Sequence, residues 1–208
     1  MTSSERTERT PRAAIVLAGG YSQRFGDGDK VFAELDGRPL LCHVVERVQP
    51  VTDTTVISCR DEQTPAIRSC LGDPTDVRIV PDPVTDCGPV AGIDAALTSC
   101  RADTVAVRAA DEPFLDPQLL TFLFERLAES STDCVIPRGF EGKLQPTQAV
   151  YQRDALIEAS SPNKSLYAVV DQLDSDIVPS AAVERHADPC VFFDIDTPDD
   201  LERARLIQ

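Results

Sequence analysis

The sequence predicts an α/β fold of three layers (α/β/α), a mainly parallel sheet covered by helices on both faces within a single domain. Three observations predict it. Short β-branched or apolar runs alternate with longer stretches of helical period along the 208 residues, the pattern of strand–helix–strand crossovers. The first strand candidate, Ala13 to Ala18, is apolar throughout, as a strand buried on both faces must be. No Pro-, Gly- or Ser-rich linker divides the interior, and 42% hydrophobic residues can fill one core. Residues 12–208 read as that domain. Residues 1–11, MTSSERTERTP, read as a disordered polar tail without the apolar centre of a signal peptide.

The elements follow in order. Strand 13–18 ends at Gly19-Gly20. Segment 39–49 sets Leu40, Leu41, Val44, Val45 and Val48 on one helical stripe. Strands 54–58 (TTVIS) and 77–80 (VRIV) come next, then a helix over 89–98 with Val90, Ile93 and Leu97 inward. Strand 104–108 (TVAVR) leads to a helix over 116–129, packed through Leu119, Leu120, Leu123, Phe124 and Leu127. Strands are expected at 133–136, 147–151 and 190–194. Asp116-Pro117 and Thr197-Pro198 each pair a capping residue with proline at the first helical position, which starts a helix.

Thirty-five acidic residues against twenty basic ones give a net charge of −15, and lysine occurs only at 30, 143 and 164. That balance disfavours nucleic acid and anionic membranes, both polyanions. No apolar stretch approaches the length that crosses a bilayer, so a cytoplasmic protein is expected. An acidic surface also suits high salt, where repulsion is screened. Loss of the fold at low salt would mark such halophilic adaptation, against an acidic face for a partner. Seven scattered cysteines without C-x-x-C spacing read as small buried residues rather than a zinc site or disulfide framework.

Residues 16–30, VLAGGYSQRFGDGDK, carry the chemistry. Glycines let a backbone wrap a ligand closely, and successive free N–H groups cradle anionic oxygens. Arg24 and Lys30 add two cations suited to a polyphosphate. The stretch matches neither G-x-G-x-x-G nor G-x-x-x-x-G-K-[ST]. Ligands of such sheets bind beyond the carboxyl ends of the strands. Asp82 follows 77–80, Asp111 follows 104–108, and Asp194 with Asp196 closes 190–193, so four strand ends deliver glycines, cations and carboxylates to one edge. Carboxylates beside polyphosphate repel it unless a divalent ion lies between, and hard oxygens suit Mg²⁺.

With these residues placed, the chain resembles the molybdenum cofactor guanylyltransferases over roughly residues 13–205. LAGGYSQRFGDGDK is similar to the family's L-A-G-G-x-S-x-R-M-G…D-K loop, with Phe25 at the usual methionine. GRPLL (37–41), GPVAGI (88–93), ADEPFL (110–115), LQPTQAVYQRDAL (144–156) and DIDTPDDL (194–201) resemble its later segments in the right order. The resemblance implies a Rossmann-like sheet of the nucleotide-diphospho-sugar transferase type. It also implies transfer of GMP from GTP to molybdenum-bearing molybdopterin with release of pyrophosphate. It assigns Leu17, Ala18, Gly19, Gly20, Ser22, Lys30, Asp82, Gly88 and Asp111 to the nucleotide, and Lys30, Arg24 and Asp111 to catalysis. Asp111 becomes the Mg²⁺ ligand, and Gln148, Asp194 and Asp196 fall on the acceptor side. Molybdoenzymes or cofactor-insertion proteins are the implied partners. His43 and His186 read as structural.

Three departures stand out. Asp194 and Asp196 occupy positions where asparagine is usual, Ala110 replaces a cysteine, and the family's other nucleotide contact falls ambiguously within Val56–Cys59. Cytidylyltransferases of the same cofactor resemble the chain too but carry L-A-A-G, so Gly19 favours guanine. Phospholactate and cobinamide-phosphate guanylyltransferases, and a non-catalytic GTP-binding adaptor, are the competing readings.

Overall fold

The computed structural model describes residues 10–26, 28–72, 74–82 and 88–207. Most of the expected tail (1–9) and residues 83–87 of the loop after Asp82 lie outside the described residues. In chain order, β1 (Arg12–Leu17) leads through a small antiparallel hairpin, β2 (Glu34–Leu35) and β3 (Arg38–Pro39), into α1 (Leu40–Val48). Then come β4 (Thr54–Cys59), α2 (Thr64–Leu71), β5 (Val77–Pro81), α3 (Pro89–Ser99), β6 (Thr104–Ala109) and α4 (Pro117–Glu129). The last third holds β7 (Cys134–Pro137), β8 (Val150–Gln152), α5 (Arg153–Ala159), α6 (Leu166–Val170), β9 (Ser175–Val178), α7 (Ser180–Val183) and α8 (Pro198–Ala204).

Seven strands form one sheet in the order β5-β4-β1-β6-β8-β7-β9. β1 pairs in parallel with β4 and β6, so Ile15 lies level with Val56 on one side and Val107 on the other. β8 alone runs antiparallel to its neighbours β6 and β7. The unbroken apolar run of β1 is explained by its two faces. Ala13 and Ile15 pack with Val90, Ile93 and Leu97 of α3, Ala14 with Leu119, Leu123 and Phe124 of α4, and Val16 with Leu41, Val44 and Val45 of α1. The three-layer architecture expected from the sequence is the one observed.

Two of the expected strands change. Residues 190–194 do not form a strand: Pro189–Phe192 is a 3₁₀ turn, with Val191 N–H donating to Asp188 O (3.0 Å). Pro189, at the turn's first position, has no N–H to give a ladder and a φ preset for a turn. The aromatics pack sideways instead, Phe192 near Phe140 and Phe193 near Phe114, with ring centroids 5.6 and 6.1 Å apart. The strand that completes the sheet is β9, which has two apolar residues, of which only Val178 is buried. Expected strand 147–151 becomes a 3₁₀ turn at Pro146–Gln148 and then β8, again because a proline opens the segment. The helix starts hold. Asp116 caps α4 through Gln118 N–H, and Thr197 and Asp200 form a reciprocal capping box on α8.

Candidate functional site

A cleft of about 560 Å³ opens at the carboxyl edge of the sheet. Of the sequence-derived residues, Leu17, Ala18, Gly19, Gly20, Ser22, Arg24, Lys30, Asp82, Gly88, Asp111 and Asp196 line it. The loop after β1 forms one wall, Ser58, Arg60 and Asp82 beyond β4 and β5 the back, and Gly88, Pro89 and Gly92 at the start of α3 the floor.

Lys30 is held where Asp29 caps a short 3₁₀ turn. Its Nζ donates to Asp111 and, at 2.8 Å, to Asp196, whose other oxygen takes Arg24 at 2.7 Å. Burial works against the Lys30 ammonium, but Asp111 and Asp196 outweigh it and hold the group above its ordinary value. It stays charged at any working pH. Asp196 arrives by a different route from the one the sequence implied. The buried Ile195 donates its N–H to Asp111 O at 3.0 Å, and Thr197 then starts α8, which leaves Asp196 between two anchors.

The opposite end of the cleft is built around Asp82. Its carboxylate accepts from Ser58 Oγ, and burial pushes it up against the opposing effects of Ser58 and Arg60. Gly19 and Gly92 are glycine because this carboxylate and its Ser58 partner leave no room for a side chain. A Cβ at Gly19 would sit 2.5 Å from Asp82 Oδ2, and one at Gly92 would meet Ser58 Oγ at 2.6 Å. Ser58 thus emerges from the ambiguous stretch Val56–Cys59 as the residue facing the cleft.

Two acceptor-side candidates lie elsewhere. Gln148 is buried, its amide donating to Val191 O at 2.8 Å, and it does not reach the cleft; its neighbour Thr147 does. In the turn that Pro146 opens, Pro146 and Gln148 are buried and Thr147 is the residue left partly exposed. Asp194 is exposed and off the lining, and partial desolvation first, then Asp196, raises its carboxyl. Thr147 donates to Glu112 Oε1 at 3.0 Å. Glu112 and Arg108 are buried beneath this wall and interact electrostatically, and all three Arg108 side-chain nitrogens and Glu112 Oε2 have no hydrogen-bond partner among the described residues. Burial, and then Asp111, push Glu112 up to about 8 although Arg108 opposes the shift.

That shift has a sign. A carboxyl raised in the fold contributes full stability below its unfolded value and loses it as pH rises through about 8. Melting temperature should fall between pH 5 and 9, and Glu112→Gln should flatten that slope. Equal slopes for the two proteins would remove Glu112 as the cause.

The sequence reading missed Arg60, Gln63, Asp29 and Tyr21. Arg60 donates to the carbonyls of Gly19 (3.0 Å) and Gly20 (2.6 Å) and to Asp29 (2.6 Å), under the Tyr21 ring at 4.8 Å. Gln63 donates to Ala18 O (2.9 Å) and Asp29 (2.5 Å). The signal was present: Arg60 is the first residue past β4, at the same sheet edge as the others.

The chain is similar to known proteins over most of its length. A family described as the MobA-like NTP transferase domain matches residues 14–177. A probable molybdenum cofactor guanylyltransferase of Natronomonas pharaonis is 36% identical over 93% of this chain and 96% of its own. One from Methanosarcina mazei is 33% identical over 97% and 93%. Among solved structures, molybdopterin-guanine dinucleotide biosynthesis protein A of Archaeoglobus fulgidus superposes with a TM-score of 0.76 at 29% identity, covering 94% of this chain and 97% of that one. A 4-diphosphocytidyl-2C-methyl-D-erythritol synthase of Anaerococcus prevotii, at 14% identity and TM-score 0.72 over 95% and 96%, shares the fold.

Proposed function

The chain belongs to the MobA-like NTP transferase family, and from that premise we propose that it transfers GMP from GTP to a molybdopterin-type phosphate, releasing pyrophosphate. The observation that carries the reading is Lys30, fixed at the cleft between Asp111 and Asp196 below a glycine-rich loop. A terminal phosphate of the acceptor is already a nucleophile near neutral pH. It attacks the α-phosphorus, the bond to the β-phosphate oxygen breaks, and pyrophosphate carries away the electron pair. Lys30 and Arg24 offset charge on the leaving group, and the loop orients the nucleotide.

Asp111 is the hard donor that would hold a Mg²⁺ ion. Among the described residues no group of three or more His, Cys, Asp or Glu could hold a metal unaided. That fits an ion completed by phosphate oxygens and water, as Mg²⁺ prefers. When bound it would neutralise phosphate charge that Asp111 would otherwise repel.

Asp82 and Gly19 support guanine over cytosine as the base. A carboxylate can accept from the adjacent N1–H and N2–H of guanine together, where cytosine offers only its N4 amine, and alanine at 19 would displace it. Gly19→Ala should lower kcat/KM for GTP by about tenfold, on the ~1–3 kcal/mol scale of forced overpacking. Unchanged GTP kinetics would show that the carboxylate yields freely. Incubating the protein with GTP, CTP or ATP, Mg²⁺ and a molybdopterin-bearing acceptor, then weighing the product, tests the reaction. A product heavier by GMP, with equimolar pyrophosphate, supports it; binding without pyrophosphate would leave a GTP-binding adaptor.

A further inference from the structure

We infer that Arg60, with Gln63, is a positioning residue that sets the polarity of the nucleotide loop and fastens both of its ends. The inference rests on the reading of residues 17–30 as nucleotide-binding. Three successive carbonyls, those of Ala18, Gly19 and Gly20, are drawn to one side by Gln63 Nε2 and Arg60 Nη1. A peptide unit is planar and trans, so each carbonyl fixes the N–H of the next residue on the opposite side. The N–H groups of Gly19, Gly20 and Tyr21 are thereby turned away from Arg60. None of the three has a protein partner among the described residues. Three neighbouring free donors lining a cleft form a nest that takes a phosphate or carbonyl oxygen.

The same guanidinium reaches the far end of the loop. Arg60 Nη2 and Gln63 Nε2 share Asp29 Oδ2, while Asp29 caps the turn that begins at Lys30. Lys30 N–H donates to Ser22 Oγ at 3.1 Å and Ser22 Oγ–H to Asp29 at 3.4 Å, closing the circuit. One planar side chain therefore couples the carbonyls at 19 and 20 to the placement of Lys30. Lysine cannot copy it, because a single ammonium lacks the fork that spans two carbonyls and a carboxylate. Arg60 is itself oriented by Glu62 on its Nε (2.7 Å) and, through its backbone N–H, by Gln63 Oε1 (2.7 Å).

The test compares wild type, Arg60→Ala, Arg60→Lys and Tyr21→Leu by equilibrium binding of GTP with Mg²⁺ and no acceptor. Arg60→Ala should weaken GTP by tenfold or more and Arg60→Lys by less, at similar melting temperatures. Tyr21→Leu, which keeps the hydrogen bonds and removes only the ring, should cost threefold or less. A loss in Tyr21→Leu equal to that in Arg60→Ala would assign the effect to the ring and overturn the clamp. So would GTP binding by Arg60→Ala equal to wild type. Hydrogen exchange without nucleotide reads the clamp separately. The amides of Lys30, Phe32 and Ala33, all hydrogen-bonded within the loop, should exchange about tenfold faster in Arg60→Ala. Unchanged protection overturns the inference. Failure of the wild type to bind GTP would instead defeat the nucleotide reading, and the exchange result would still decide on the clamp.

Discussion

Asp111→Asn is expected to fold and to lose about a hundredfold or more of its turnover, the scale of removing a principal electrostatic stabiliser. The fold should survive because the structural bond at this residue is made by its backbone: Asp111 O accepts from Ile195 N–H at 3.0 Å, and an amide side chain leaves it intact. What the substitution removes is a full negative charge beside Lys30 and the hard oxygen donor assigned to the metal. Asparagine offers one neutral oxygen and holds Mg²⁺ poorly. Pyrophosphate release measured over a Mg²⁺ titration, beside a thermal melt, reads both parts. If the variant melts like wild type and keeps most of its activity at low Mg²⁺, Asp111 serves only to anchor Lys30.

The sequence carried the parts of this site that depend on local chemistry and strand ends. Lys30, Asp82 and Asp111 each follow a strand or its loop directly, so locating the strand located them. It failed where long-range packing decides. The stretch CVFFD looks like a strand by composition, yet Pro189 turns it, and its aromatics find partners in Phe140 and Phe114 that are distant in sequence. The strand β9 was hidden because an edge strand with one buried residue has little apolar signal. At 146–148 a 3₁₀ turn buries Gln148 and leaves Thr147 on the cleft, which composition cannot register. Asp196 was found, but its ion partners were not legible in the sequence. Its ion pairs are with Lys30 and Arg24, the cations of the nucleotide loop, which moves its expected influence from acceptor to nucleotide.

Lys30→Ala should lower kcat/KM for GTP by about a hundredfold or more, again on the scale of a lost principal stabiliser, with an effect larger than the loss of one contact implies. Lys30 is the ammonium that Asp111 and Asp196 share, and its side chain is only 15% exposed, so little water replaces it. Without it, Asp111 and Asp196 meet an incoming polyphosphate with Arg24 as the compensating partner, and Arg24 is 73% exposed and screened. Asp196→Asn acts in the opposite sense. It removes an anion that competes with phosphate for both cations, and GTP affinity should rise a few-fold. The double variant then separates two accounts of Asp196. If it competes with phosphate through Lys30, Lys30→Ala/Asp196→Asn should depart from additivity by ~0.5–3 kcal/mol, as expected for residues in one ion-pair network. The sign should favour the double variant, since the anion left uncompensated by the first change is removed by the second. Strict additivity in GTP affinity would mean that Asp196 acts apart from Lys30, on the acceptor side as the sequence first implied.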